Sequence, residues 1–252
     1  MTKVKSAERT LRFLELLSKK RNGLSFTDIQ SGLDIPKSSA YSLIQELMEC
    51  NYLLYNVSTK KYYAGIEYIK LCTQCFQSTD LLEELSILTS NLGHELNLTS
   101  HAGILEQRSV MYLSKYENNS DISLMKNIGM GLKLPAHCTA MGKVLLSQFS
   151  DDELYHMYAD IPLKKLTEKS IDVLDELIEA IREVRKQDYA IEISEASLYT
   201  ACIALPLYKN QLMIAAFSVT LPVSMFETAD REAIIDTMKR HKDVTEQRLF
   251  SF

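Results

Sequence analysis

Apolar side chains first recur at helical spacing at Ala7, Leu11, Leu14 and Leu17. This predicts a helix over Ser6–Lys20 with those residues inward and Phe13 and Leu16 apolar but outward. Ser25 with Asp28 three positions on reads as a capping box opening a short helix, Thr27 to Gly32. Ile35-Pro36 stops the chain and restarts it, because a proline in a first turn gives up only an orphaned N–H. Ala40, Leu43, Ile44 and Leu47 then form one inward stripe on a helix from Pro36 to Cys50. Its first turns hold Lys37, Ser38, Ser39, Tyr41 and Ser42, and its acids, Glu46 and Glu49, come late. A donor-rich N-terminal end suits a recognition helix touching base edges in a major groove, although an ordinary helical hairpin fits this segment as well. Two short β runs, 52–55 and 62–63, flank a polar tip with Lys60 and Lys61. That hairpin is a wing placed to meet phosphate.

The rest of the chain alternates. A helix is expected over Asp80–Leu96 from Leu81, Leu82, Leu85, Leu88 and Leu92, then strands at 99–105 and 110–116. After a loop with Gly129 and Gly131 come helices over 139–148 and 151–159, and another ending near Lys186. Strands follow at 189–194, 201–207 and 212–220, and a last helix runs from about Thr228 to Phe250. The fold class is therefore α+β: an N-terminal winged helix-turn-helix plus a C-terminal α/β domain of sensor type. The expected divisions are 1–64 for DNA binding, 65–78 for a linker helix and 79–252 for effector binding.

Charge sharpens the division. Residues 1–76 carry eleven Lys/Arg against seven Asp/Glu, a net of +4. The whole chain has 28 against 33, so the remainder has 17 against 26, a net of −9. A basic head on an acidic body suits a protein whose head meets double-stranded DNA. Hydrophobic content of 46% and charged content of 24% are globular values. No apolar run approaches a membrane span, and Met1–Ser6 lacks the apolar stretch of a signal peptide, so no membrane role and a cytoplasmic location are expected. Five scattered cysteines fit a reducing compartment. Cys72 and Cys75 form a C-x-x-C without a second ligand pair, so neither metal nor cofactor is expected.

Three segments in register carry a resemblance. His137-Cys138-Thr139-Ala140-Met141-Gly142-Lys143-Val144-Leu145-Leu146 is similar to H-x-T-A-x-G-K-x-L-L of the IclR family of bacterial transcriptional regulators. Tyr189-Ala190-Ile191 with Cys202-Ile203-Ala204-Leu205-Pro206 resembles that family's G-Y-A-V and C-I-A-x-P, and 215–222 its A-A-L-S-V-S-G-P. The chain departs where Ser42 replaces a usual arginine and where Asp188 and Tyr199 stand in place of common glycines. The resemblance implies a GAF-like effector domain and places Glu192, Cys202, Ser218 and Thr220, with Gly131, Thr139 and Ala140, at or near the effector site. Physically, Thr139 opens a helix whose N–H groups attract anions, and Ser218 and Thr220, two apart, share a strand face. These small donors suit a small organic or sugar-derived acid.

The expected function is a sequence-specific regulator, a repressor, controlled by such a metabolite and not an enzyme. The rival reading is a thiol-based redox sensor or thiol enzyme using Cys72/Cys75 or Cys138, with His137 as base and Glu192 or Glu195 orienting it. His94, His101, His156 and His241 read as surface or satisfied core residues. Surplus apolar residues on the first helix (Phe13, Leu16) and the linker helix (Ile66, Tyr68, Ile69, Leu71, Phe76) predict a homodimer or a dimer of dimers.

Overall fold

A computed structural model describes residues 4–20, 22–77, 80–117 and 129–250, with the side chains of 72–77, 80 and 250 outside that description. The chain divides into two compact units, Met1–Thr79 and Asp80–Phe252.

The first unit runs α1 (Lys5–Ser18), α2 (Phe26–Leu33), α3 (Lys37–Glu49), β1 (Leu53–Asn56), β2 (Lys61–Ala64) and α4 (Ile66–Gln77). Ser25 Oγ accepts from the Asp28 N–H at 3.1 Å, and the Asp28 carboxylate accepts from the Ser25 N–H at 2.9 Å. This is the expected capping box; the Ser25 hydroxyl also donates to the Asp28 carboxylate at 2.7 Å, and with the Ser25 N–H it holds that carboxyl below its ordinary range. Asp34 closes α2 in a left-handed conformation, φ 52°. Pro36 stands at the N-cap of α3 rather than inside it. Ala40, Ile44 and Leu47 of α3 are buried against Ile29, Leu33 and Leu53.

The expected inner face of α1 is corrected. Phe13 and Leu17 are buried, with Leu14 and Leu16 partly so, whereas Leu11 is 62% exposed and Ala7 faces solvent too. Two apolar stripes run along this helix, and the one holding the aromatic ring buries more surface, about 1.5–3 kcal/mol for the phenylalanine alone.

In the wing, β1 and β2 are antiparallel, with Asn56 opposite Lys61 and Leu53 opposite Ala64. Asn56 Oδ1 accepts from the Thr59 N–H at 3.1 Å, and Lys60 completes the turn at φ 53°. Leu24 adds a bridge to Tyr62, which ties the wing to the segment before α2.

The second unit contains α5 (Asp80–Leu96), β3 (Thr99–Glu106), β4 (Ser109–Tyr116), β5 (Lys133–Pro135), α6 (Ala140–Leu146), α7 (Asp151–Tyr158), α8 (Leu174–Gln187), β6 (Ala190–Ile193), β7 (Thr200–Lys209), β8 (Leu212–Pro222), α9 (Val223–Phe226) and α10 (Arg231–Phe250). The six strands form one sheet in the order β5-β4-β3-β8-β7-β6, every neighbouring pair antiparallel. The β7–β8 hairpin turns on Asn210 and Gln211, both at positive φ, as a two-residue hairpin of primed type requires. Strand β5, a turn of 3-10 helix at Ala136–Cys138 and α9 are additions to the expected elements.

Alternate residues of the sheet serve two different cores. Ala190, Cys202, Ala204 and Ala216 pack with α6, α7 and α8. Ala201, Ile203, Leu205, Phe217, Val219 and Leu221 pack with α5, α9 and α10. The result is a sheet between two helical layers. Helix α6 packs tightly on the 3-10 turn before it: a Cβ on Gly142 would come 2.0 Å from the Ala136 carbonyl oxygen.

Candidate functional site

The first candidate is the surface around α3. Lys37, Ser38, Tyr41 and Ser42 are exposed and Ser39 half-buried, so the first turns of the helix are presented as expected. Ser42 Oγ donates back to the Ser38 carbonyl at 3.1 Å, which leaves that hydroxyl only its acceptor capacity for a base. Lys60 is exposed at the wing tip. Lys61 is only half-exposed, and its ammonium donates to the Asn22 carbonyl at 3.3 Å. Arg9 of α1 shares a groove of about 440 Å3 with Ser38, Ser39 and Ser42. It brings a cation beside the serines of α3, where Ser42 replaces the usual arginine. Sequence spacing could not show this, because Arg9 lies on another helix.

The second candidate is an enclosed cavity in the sheet layer beneath α6. Thr139, Ala140, Glu192, Cys202, Ser218 and Thr220 all line it. The strand register explains the convergence: Glu192 stands opposite Cys202, Cys202 opposite Thr220, and His101 opposite Ser218. His101, Tyr112, Met141 and Ala196 complete the wall.

Gly131, expected here, is not part of it. It is an exposed turn residue at φ 80°, and its N–H donates to the Tyr112 carbonyl at 2.8 Å on the way to β5. Tyr199 is likewise no part of the wall, being 63% exposed. Asp188, the other replaced glycine, takes the left-handed position at the C-cap of α8, φ 59°. Thr139 is the N-cap of α6, its hydroxyl accepting the Gly142 N–H at 2.9 Å, so its acceptor role is already in use. With only seven residues, α6 adds little dipole.

The cavity's electrostatics come from burial. Burial pushes the Glu192 carboxyl up to about 7, although it accepts the Glu195 N–H at 2.9 Å. Glu192 Oε1 makes no well-aligned hydrogen bond, although the Cys202 thiol and the Ala196 N–H lie near enough to the carboxyl to favour its charged form, and His101 Nε2 has no partner. Burial lowers His101 to about 3, with Lys115 adding to the effect, so the imidazole is neutral and packs edge-on to Tyr112 at 5.4 Å. The expectation of a surface or satisfied core histidine is thereby corrected. Burial also raises Tyr112 and Cys202 far above their usual ranges. The cavity itself is about 10 Å3, room for roughly one water molecule. A larger ligand therefore has to widen it.

One polar network closes this region. Lys143 of α6 is paired with Glu195, both nearly buried. Ser170 Oγ donates to the Glu195 carbonyl at 2.7 Å, and Thr167 Oγ1 to the Ser194 carbonyl at 2.6 Å. These bonds fasten the 194–199 loop to the segment before α8.

At Cys138 the thiol reading finds no support in the geometry. His137 Nε2 and Cys138 Sγ both donate to one carbonyl, that of Lys164, at 3.1 and 3.7 Å. Burial raises the Cys138 thiol and lowers His137, opposite to what a thiolate–imidazolium pair needs. The side chains of Cys72 and Cys75, and of Phe76, lie outside the described residues. No group of His, Cys, Asp and Glu able to hold a metal occurs among the described residues. No helix among them is long and apolar enough to cross a membrane.

Comparison with known proteins covers both units. Residues 6–56 match the IclR helix-turn-helix domain, and residues 73–243 match the family described as bacterial transcriptional regulator IclR, C-terminal. The HTH-type transcriptional regulator XynR of Escherichia coli K12 is 27% identical over 228 residues, covering 90% of each chain. The regulator KdgR of the same organism is 25% identical over 224 residues, 88% of this chain and 84% of that one. Among solved structures, Thermotoga maritima IclR superposes with a TM-score of 0.76 at 20% identity, covering 98% of this chain and 99% of that one. An IclR homolog from Microbacterium hydrocarbonoxydans, complexed with 4-hydroxybenzoate, gives 0.83 at 18% identity, with 96% and 97% covered. The chain belongs to the IclR family of bacterial transcriptional regulators, as a helix-turn-helix regulator with an effector-type C-terminal domain and not as an enzyme.

Proposed function

We propose that this regulator is a cytoplasmic repressor that releases its operator when a small organic or sugar-derived acid enters the cavity beneath α6. The observation that carries the reading is the pair of buried polar atoms without a well-aligned hydrogen bond, Glu192 Oε1 and His101 Nε2, facing one enclosed space. Such atoms cost free energy until something satisfies them, and a polar ligand does so. The repressor sense is supported by the relative AllR of Salmonella typhimurium, an HTH-type transcriptional repressor 23% identical to this chain. The acid class is supported by the fold neighbour's 4-hydroxybenzoate. The smallness of the cavity supplies the switch: a ligand that must widen it favours the widened state by its differential affinity.

Lys37, Ser38, Ser39, Tyr41, Ser42, Lys60 and Lys61, now with Arg9, are the proposed DNA-facing residues. We also place a homodimer contact on the outer face of α1. Val4 and Leu11 are exposed there and border a groove of about 350 Å3 together with Ala7, Glu8, Arg12 and Glu15. In an antiparallel two-fold pair Arg12 of one copy faces the glutamates of the other, the self-complementarity an isologous contact needs.

The reading is tested by thermal shift with a library of small acids, followed by operator binding with each acid that responds. A ligand at a hundred times its Kd stabilises the folded protein by about 2.7 kcal/mol. The expected outcome is loss of operator binding with the same acid, abolished in Cys202→Leu or Ser218→Leu while DNA binding persists. A folded Ser218→Leu protein that still responds normally would move the effector site elsewhere.

A further inference from the structure

The cavity holds a carboxylate and no cation. Lys143 on α6 is committed to Glu195, and Lys115 on β4 pairs with Glu117 at 3.2 Å. Among the described residues no lysine or arginine lines the space. From the strands, His101 of β3, Tyr112 of β4 and Cys202 of β7 face Glu192, and the 194–199 loop brings Glu195 beside it. Ser218 and Thr220 of β8 and Thr139 add only hydroxyls. The charge open to the lining is thus a single negative one, on Glu192. An organic anion entering unaccompanied would meet it at close range, where burial leaves little solvent to screen the repulsion.

We propose that an acid bound in this cavity arrives with a proton from solvent, held between Glu192 and the ligand's carboxylate. The site would then recognise the anion plus one proton. This rests on the reading of the cavity as the effector site. Oε2 of Glu192 already accepts the Glu195 N–H at 2.9 Å, whereas Oε1 makes no well-aligned hydrogen bond and has only the weak Cys202 thiol and the Ala196 N–H nearby, so Oε1 is the oxygen that takes the proton and donates it to a ligand oxygen. No covalent bond forms or breaks: one proton leaves water, and two carboxylates that cannot both stay charged at contact share it. His101 Nε2 is the second atom awaiting a partner and gives the ligand a second fixed point. Because burial has already brought Glu192 to about 7, the proton is taken up within the ordinary range of cellular pH.

The experiment is titration calorimetry of the full-length protein in buffers of different ionisation enthalpy. The probes are gluconate, pyruvate and benzoate, each beside its neutral carboxamide. At pH 8 an acid that binds should take up close to one proton. Its affinity should fall about tenfold per pH unit above pH 7 and level off below pH 6. In Glu192→Gln, which keeps the shape and supplies an N–H donor, uptake should vanish and affinity should become flat with pH. Should that variant fail to fold, the proton count on the wild type still decides. Acid binding with no proton taken up, or with affinity independent of pH, overturns the inference and leaves the effector reading standing. Carboxamides binding where acids do not overturns it too. Silence from every probe removes the cavity from the effector role, and this inference with it.

Discussion

A carboxyl enclosed by Cys202, Tyr112 and the Glu195 amide costs more to ionise than one in water, and the fold feels that cost as pH rises. The folded pKa of Glu192 lies near 7, above its ordinary value of 4.5. This group's contribution is therefore most favourable below pH 4.5, declines as pH rises to about 7, and is constant beyond. We predict that Glu192→Gln removes a slope worth roughly 3 kcal/mol between those limits, read from urea unfolding at pH 5 and pH 8. An unchanged slope would place the titrating group elsewhere. Lys143 makes the opposite case, a buried charge already paired. Lys143→Ala should destabilise by about 3–5 kcal/mol by stranding Glu195, whereas Lys143→Met with Glu195→Leu should recover most of it. Equal losses in the single and double variants would show that packing, not charge, is at stake. His101 was hidden in the sequence because one histidine among small strand residues has no partner pattern. Only the pairing of β3 with β8 sets it opposite Ser218. Gly131 came to the site by resemblance alone, and it does not line the cavity, bonding only to the backbone of the wall residue Tyr112.

Elements defined by a single apolar stripe were legible, and elements with a competing signal were not. The leucines of α5 gave its span, Asp80–Leu96, because Leu85, Leu88 and Leu92 allow one inner face. In α1 two stripes competed, and spacing could not weigh a phenylalanine against a leucine. Strand β5 escaped because three residues ending in Pro135 are too few for alternation to register. The wing was legible in outline, yet the bond from Lys61 to Asn22 was not. Lys60→Ala alone should therefore weaken binding to all DNA sequences alike and lower the salt slope by about one. Lys61→Ala should do less, while Ser39→Ala or Tyr41→Ala should change which sequences are preferred. Binding isotherms on operator and random duplexes from 50 to 200 mM salt separate these outcomes, and a Lys60 effect confined to the operator would refute the wing's phosphate role.

At the scale of the whole molecule, a regulator reading two half-sites needs a self-complementary contact, and the contact proposed on the outer face of α1 is the place to break it. Leu11→Glu should give a folded monomer with weakened operator affinity. Phe13→Glu should unfold the first unit, because its ring is fully buried. Light scattering with circular dichroism distinguishes them, and a Leu11→Glu protein that remains dimeric would move the contact. The alternation of the sheet has a consequence for descent. Along β6, β7 and β8, even-numbered positions such as 192, 202, 218 and 220 meet the cavity, and odd-numbered ones such as 191, 203, 219 and 221 hold the opposite core. A lineage can thus exchange what it senses by altering every second residue of three strands while its neighbours keep the scaffold intact. In comparisons between relatives, inheritance should accordingly be read in two interleaved registers, one drifting with diet and one nearly still.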